Sequence, residues 1–175
     1  MKFLHIKYFF ISFLVINIDL AHSDDQNNIK NLILNNSPVK YEKVEFKDIS
    51  GKTINIEEFK GKVIVLNFWA IWCKPCRDEM KSLDLLKSNK SIRSLEIFPV
   101  NIGGDSGKKT KEFFKEIAIE NLDLYFDPSL SLAKKFSLRG IPTTIIFDKD
   151  GKEFARIVGS TDFNDINFVE WIKKH

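Results

Sequence analysis

Cysteine and histidine are scarce in this chain. Its 175 residues hold two cysteines, Cys73 and Cys76, and three histidines, His5, His22 and His175. A structural zinc site takes four ligands. The histidines lie at the two ends of the sequence, so they do not complete the cysteine pair, and no metal site is expected. Long apolar runs are also missing. The one sustained run, residues 8–16, falls short of the roughly 20 residues that a helix needs to cross a bilayer. Charge of one sign is lacking as well: 27 basic residues face 24 acidic ones. That balance gives no reason to expect nucleic acid as a partner. No internal repeat is present.

The start of the chain has the pattern of a secretory signal. Lys2 and Lys7 precede the apolar run, Asn17 and Asp19 end it, and Ala21-His22-Ser23 offers small residues at the cleavage positions. Residues 1–23 are therefore expected to be a signal peptide, with an uncleaved membrane anchor as the alternative. No cysteine follows the run, so a lipid-modified terminus is not expected. Removing this leader takes two lysines and one aspartate and leaves a net charge of +2. Residues 24–38, rich in Asp, Asn, Ser and Lys, read as a flexible tether with Leu32-Ile33-Leu34 as a docking turn. Residues 39–175 are then one domain, long enough to bury a core.

Against this background the two cysteines stand three apart, in Trp72-Cys73-Lys74-Pro75-Cys76, directly after the apolar run of residues 63–69. A strand that ends in Cys-x-x-Cys and opens a helix is the setting of a redox pair. Unpaired N–H groups and the dipole at a helix N-terminus favour a thiolate, the species that attacks a disulfide. Cys73 is expected to be the exposed nucleophile, with Lys74 adding positive charge. Cys76, one turn on and more buried, would resolve the mixed disulfide. Pro75 suits the first helical turn. A purely structural bridge across so short a loop would stabilise little.

The remaining pattern is that of an α/β domain. A hairpin is expected over residues 41–56 around Ser50-Gly51, and a central strand, covered on both faces, over residues 63–69. The helix from Cys76 presents Met80, Leu83 and Leu86 at helical spacing. A second strand spans residues 95–102, where Pro99 implies a bulge or an unpaired edge position. Residues 108–119 form an amphipathic helix, 124–126 a short strand and 129–136 a short helix. Two strands flank the turn at Asp150-Gly151, and a last helix turns Ile166, Val169 and Ile172 inward. The sum is a three-layer α/β/α sandwich with a mixed central sheet.

Residues 67–80, Asn-Phe-Trp-Ala-Ile-Trp-Cys-Lys-Pro-Cys-Arg-Asp-Glu-Met, with Gly140-Ile141-Pro142-Thr143-Thr144 downstream, resemble the thioredoxin-like periplasmic thiol–disulfide oxidoreductases of the TlpA/ResA type. Residues 48–52, 58–62, 148–152 and Val158-Gly159 are similar to that group too. The resemblance implies a thioredoxin fold with an N-terminal hairpin and a central insertion, and a periplasmic location. It implies a cis Pro142 facing the dithiol, with the Ile141 backbone beside it to pair with an extended substrate. It gives Glu79 a part in proton movement at Cys76, against the alternative of a solvated acid favoured by the helix dipole. Trp72 is expected to shield the disulfide or to belong to the core. Asn67 stands where ordinary thioredoxins carry a buried aspartate, and Lys81 where many relatives have proline.

No cofactor is expected. The implied partners are disulfides of client proteins and a membrane-embedded thiol electron donor, and the chain is expected to act as a monomer. Clients in cytochrome c or copper-centre assembly follow from the resemblance alone. Lys-Pro between the cysteines leans toward reduction, with a disulfide-donating oxidant as the alternative direction. Two further readings remain: a copper(I) module using both thiolates, and an adaptor whose partner binding switches with redox state. Peroxidase chemistry is not expected, because the cysteines lie outside a peroxiredoxin setting. Residues 103–110 imitate a phosphate loop, but Ile102 occupies the place of its first glycine and Lys109 that of its Ser or Thr. Asp148-Lys149-Asp150-Gly151 begins like a calcium loop and lacks the later ligands.

Overall fold

The computed structural model describes residues 29–175. Its strands are β1 (Leu32–Lys40), β2 (Glu45–Asp48), β3 (Thr53–Asn55), β4 (Val63–Trp69), β5 (Leu95–Asn101), β6 (Tyr125–Phe126), β7 (Thr143–Phe147) and β8 (Lys152–Val158). The helices are α1 (Lys74–Ser88), α2 (Gly107–Glu116), α3 (Ser131–Lys135) and α4 (Ile166–Lys173). The strands make one eight-stranded sheet in the order β1-β8-β7-β4-β5-β6-β2-β3.

β4 organises the domain. All seven of its residues are buried, as expected of a strand covered on both faces. It pairs parallel with β5 and antiparallel with β7, so the sheet is mixed. Its side chains alternate between two cores. Val63, Val65 and Trp69 join Met80, Leu83 and Leu86 of α1, Phe113 and Phe114 of α2, and Phe168, Trp171 and Ile172 of α4. Ile64, Leu66 and Phe68 face the other way, onto Phe46, Phe98, Phe136 and Phe147. This is the three-layer α/β/α architecture of the thioredoxin fold, with the β2–β3 hairpin ahead of β4.

Pro99 sits in β5 without a bulge, directly opposite Asn67. Val63 N–H donates to the Ser94 carbonyl and Ile102 N–H to the Trp69 carbonyl. That phase points the Pro99 nitrogen away from β4. On that side β6 pairs only with Val100 and Asn101, so the missing donor interrupts no ladder. Lys81 lies within an unbroken α1 and donates to the Ala118 carbonyl, tying the helix to the loop after α2.

Two expectations are corrected here. The tether assigned to residues 24–38 does not hold for its described part, because β1 already begins at Leu32 and Ile29 is buried. Leu32, Ile33 and Leu34 pair with Ile157, Arg156 and Ala155, and the register shifts before Val39. The polar stretch between is the irregular part of an edge strand, where exposed polar groups are usual. The domain therefore starts ahead of Val39, while the predicted leader and residues 24–28 lie outside the described residues. The second correction concerns Ile166, which is 65% exposed. Asp165 caps α4 and places Ile166 in its first turn, so the inward face is Phe168, Val169, Trp171 and Ile172.

Candidate active site

The fully buried β4 delivers the chain to Ala70, and α1 opens four residues later. Cys73 is the N-cap of α1, and its sulfur accepts the Cys76 N–H at 3.3 Å. Pro75 lies in the first turn, where its missing N–H removes no helical bond. The cysteines are joined as a disulfide. Once it is reduced, the capping N–H and the helix dipole act on Cys73, and both favour its thiolate. Cys76 is completely buried. Cys73 is only 5% exposed, which corrects the expectation of an open nucleophile. The carbonyl oxygen of Ile141 lies 3.6 Å from its sulfur and helps to enclose it.

The Ile141–Pro142 bond is cis, as the resemblance implied. The Pro142 carbonyl accepts the Gly159 N–H at 2.9 Å, which fixes this turn to the end of β8. Trp72 is 68% exposed and so does not belong to the core. The Ile141 carbonyl thus meets Cys73 from a separate loop, while Trp72 precedes Cys73 in the chain and sets its indole nitrogen beside Gly103.

Glu79 faces inward, one turn beyond Cys76. It is 4% exposed, which removes the solvated-acid alternative. Asn67 Nδ2 donates to its Oε1 at 2.8 Å, and the Thr161 backbone N–H to its Oε2 at 3.2 Å. Burial pushes the carboxyl up to about 7, while these two donors act in the opposite direction.

Sequence reasoning missed a support beneath the active-site turn. Asp105 Oδ2 accepts the Ile71 N–H and the Asn101 side-chain N–H, both at 3.1 Å, and Oδ1 pairs with Lys109 at 3.0 Å. Burial alone would raise this carboxyl, but Lys109, Asn101 and Ile71 together hold it below its usual range. Asp105 stands in the segment that imitates a phosphate loop, where only its place before a helix start was informative. Gly103 packs against the same turn: a Cβ there would lie 2.6 Å from Ala70 Cβ and 3.0 Å from Trp72 Nε1. Gly103→Ala is therefore expected to destabilise the oxidised protein by about 1–3 kcal/mol, the usual range for overpacking, as measured by urea unfolding. An unchanged midpoint would mean that the turn yields freely.

Among the described residues, no group of three or more His, Cys, Asp or Glu side chains is placed to hold a metal ion. A mixed sheet that delivers a Cys-x-x-Cys pair to a helix N-terminus, opposite a cis-proline turn, defines the class: a thioredoxin-fold thiol–disulfide oxidoreductase. The chain belongs to the AhpC/TSA family, whose model matches residues 39–152. Over 127 residues it is 31% identical to the thiol-disulfide oxidoreductase ResA of Bacillus thuringiensis subsp. konkukian, covering 73% of this chain and 71% of that protein. Two solved structures share the fold. The exposed lipoprotein thioredoxin Etrx1 of Streptococcus pneumoniae is 25% identical with a TM-score of 0.65, over 77% of this chain and 100% of that one. A secreted thiol-disulfide isomerase of Corynebacterium glutamicum is 20% identical with a TM-score of 0.68, over 88% and 96%. Within the AhpC/TSA family the likeness is thus to the ResA-type thiol–disulfide oxidoreductases.

Proposed function

We propose that this chain is an exported reductant of disulfides in specific client proteins. The observation that carries the direction of attack is the Cys73 sulfur, capped by the Cys76 N–H and set 3.6 Å from the Ile141 carbonyl. In the reaction the Cys73 thiolate attacks a client disulfide, forming a mixed disulfide and releasing one client sulfur as a thiolate. The Cys76 thiol passes its proton to Glu79 and attacks Cys73, which frees the second client sulfur. Two electrons have then moved to the client, Cys73–Cys76 is oxidised, and the client thiolates take up one proton from Glu79 and one from the solvent. A membrane-embedded dithiol donor restores the reduced pair by the same exchange in reverse. Trp72, Ile141 and Pro142 form the surface that meets the client, which lies extended along the Ile141 backbone.

Export is supported by the signal-like start of the sequence and by relatives named as secreted or exposed. The periplasm is the compartment that this reading assigns. Clients in cytochrome c or copper-centre assembly remain the family-based part of the reading. No observation favours the copper(I) module or the adaptor over it.

The test is the equilibrium potential of the Cys73–Cys76 couple against glutathione or dithiothreitol. A value near thioredoxin's, about −270 mV, is expected of a reductant. A value near about −120 mV would reverse the proposed direction while leaving the site in place.

A further inference from the structure

Asn67 is completely buried in the middle of β4, and its Oδ1 has no hydrogen-bond partner among the described residues. An orphaned buried acceptor is unfavourable, and an aliphatic residue like the flanking Val65 and Leu66 would avoid it. What the amide contributes lies on its other side. One Nδ2 hydrogen goes to Glu79 Oε1 at 2.8 Å and the other to Thr144 Oγ1 at 2.9 Å. Asn67 and Thr144 are direct cross-strand partners of β4 and β7. The sheet register therefore aims the amide, and the Thr144 hydroxyl holds its NH2 toward α1.

Among the described residues, none forms an ion pair with Glu79. The groups facing it are Asn67 from β4, with Thr144 of β7 behind it, and the Thr161 N–H from the loop before α4. On its own helix the sulfur one turn back is Cys76, which is bonded to Cys73 and carries no proton in the oxidised protein, while its sequence neighbour Asp78 and Thr161's neighbour Asp162 are exposed. A buried carboxylate in such surroundings depends on N–H donors for its charge. Among the described residues two serve it, one on each oxygen, and the Asn67 bond is the shorter.

We propose that Asn67 is the positioning residue for Glu79: its amide keeps that buried carboxyl able to ionise. The Thr144 hydroxyl orients Asn67, and Thr161 supplies the second donor from the α4 side. The pairing of β4 with β7 thus places the side-chain donor that opposes the effect of burial on Glu79. The inference extends the role given to Glu79 above, but it concerns ionisation of the carboxyl and not turnover.

The experiment is a carbon-13 NMR titration of the glutamate side-chain carboxyls in the oxidised full chain, with the Glu79 signal assigned by its loss in Glu79→Gln. The wild-type signal is expected to titrate near 7. In Asn67→Leu its midpoint should rise by about one pH unit or more, a tenfold loss in ionisation at a given pH. Thr144→Val, which frees the amide without emptying the site, should give a smaller upward shift. An unchanged or lowered midpoint in folded Asn67→Leu overturns the proposal. If that variant does not fold, an unchanged midpoint in Thr144→Val overturns it. The role of Glu79 in turnover is tested apart, by the pH profile of insulin reduction. A profile untouched by Glu79→Gln, beside a shifted Asn67→Leu titration, would remove the proton-transfer reading and leave the Asn67 inference standing.

Discussion

Replacing Cys73 with serine should lower insulin-disulfide reduction by on the order of 10³-fold or more, because the covalent route begins at that sulfur and has no substitute. Cys73 caps α1 with its side chain, and it is the more accessible of the two sulfurs. A serine hydroxyl can keep the cap, so the variant should fold and its loss should be one of chemistry. Replacing Cys76 with serine should have a different signature. Attack by Cys73 still occurs, but the completely buried resolving thiol is gone, and mixed disulfides with clients should accumulate on non-reducing gels. Retained activity in Cys73→Ser would sink the assigned order of attack. Trapping by Cys73→Ser with none by Cys76→Ser would exchange the two roles.

The second large effect is on stability. Glu79 titrates near 7 when folded, against 4.5 for the unperturbed group, because it is buried. The folded state therefore holds this proton more tightly than the unfolded state does. Its contribution to stability is complete below about pH 4.5 and is lost as the pH rises through 7. The shift corresponds to about 3 kcal/mol. Glutamine at this position cannot ionise, although its amide would meet the Thr161 N–H with a donor on one side, a cost that does not vary with pH. Urea unfolding of the oxidised protein at pH 4 and pH 8 should show the wild type losing about 3 kcal/mol more than Glu79→Gln across that interval. Equal losses in the two proteins would mean that Glu79 is ionised at little expense, and the proton-transfer role would lose its physical basis.

The two predictions depend on the sequence to different degrees. Cys73 and Cys76 are legible because everything that defines them is local: an apolar strand, a three-residue spacing, and a proline suited to a helix start. The apolar face of α1 is equally readable, since Met80, Leu83 and Leu86 recur at helical spacing and all three are buried. Glu79 is visible as a residue, but its burial depends on Asn67 and Thr161, 12 and 82 positions away in sequence. Asp105 was hidden for the same reason: its bond to the Ile71 N–H spans 34 positions. The edge strand β1 reads as a tether in the sequence because composition records polarity and not pairing. An edge strand with an irregular middle carries as much Asn and Ser as a linker.

By itself the sequence determined the class of chemistry, the reactive pair and the order of strands and helices from β2 onward. These follow from spacing, periodicity and turn residues, which act over a few positions of chain. Only the tertiary structure decided how closed the site is, with Cys73 nearly covered and Trp72 exposed. It alone set an uncharged buried neighbourhood around Glu79, and the support of the active-site turn by Asp105. Desolvation and hydrogen bonding act through space, and the β4–β7 register and the loops before α2 and α4 bring those groups together.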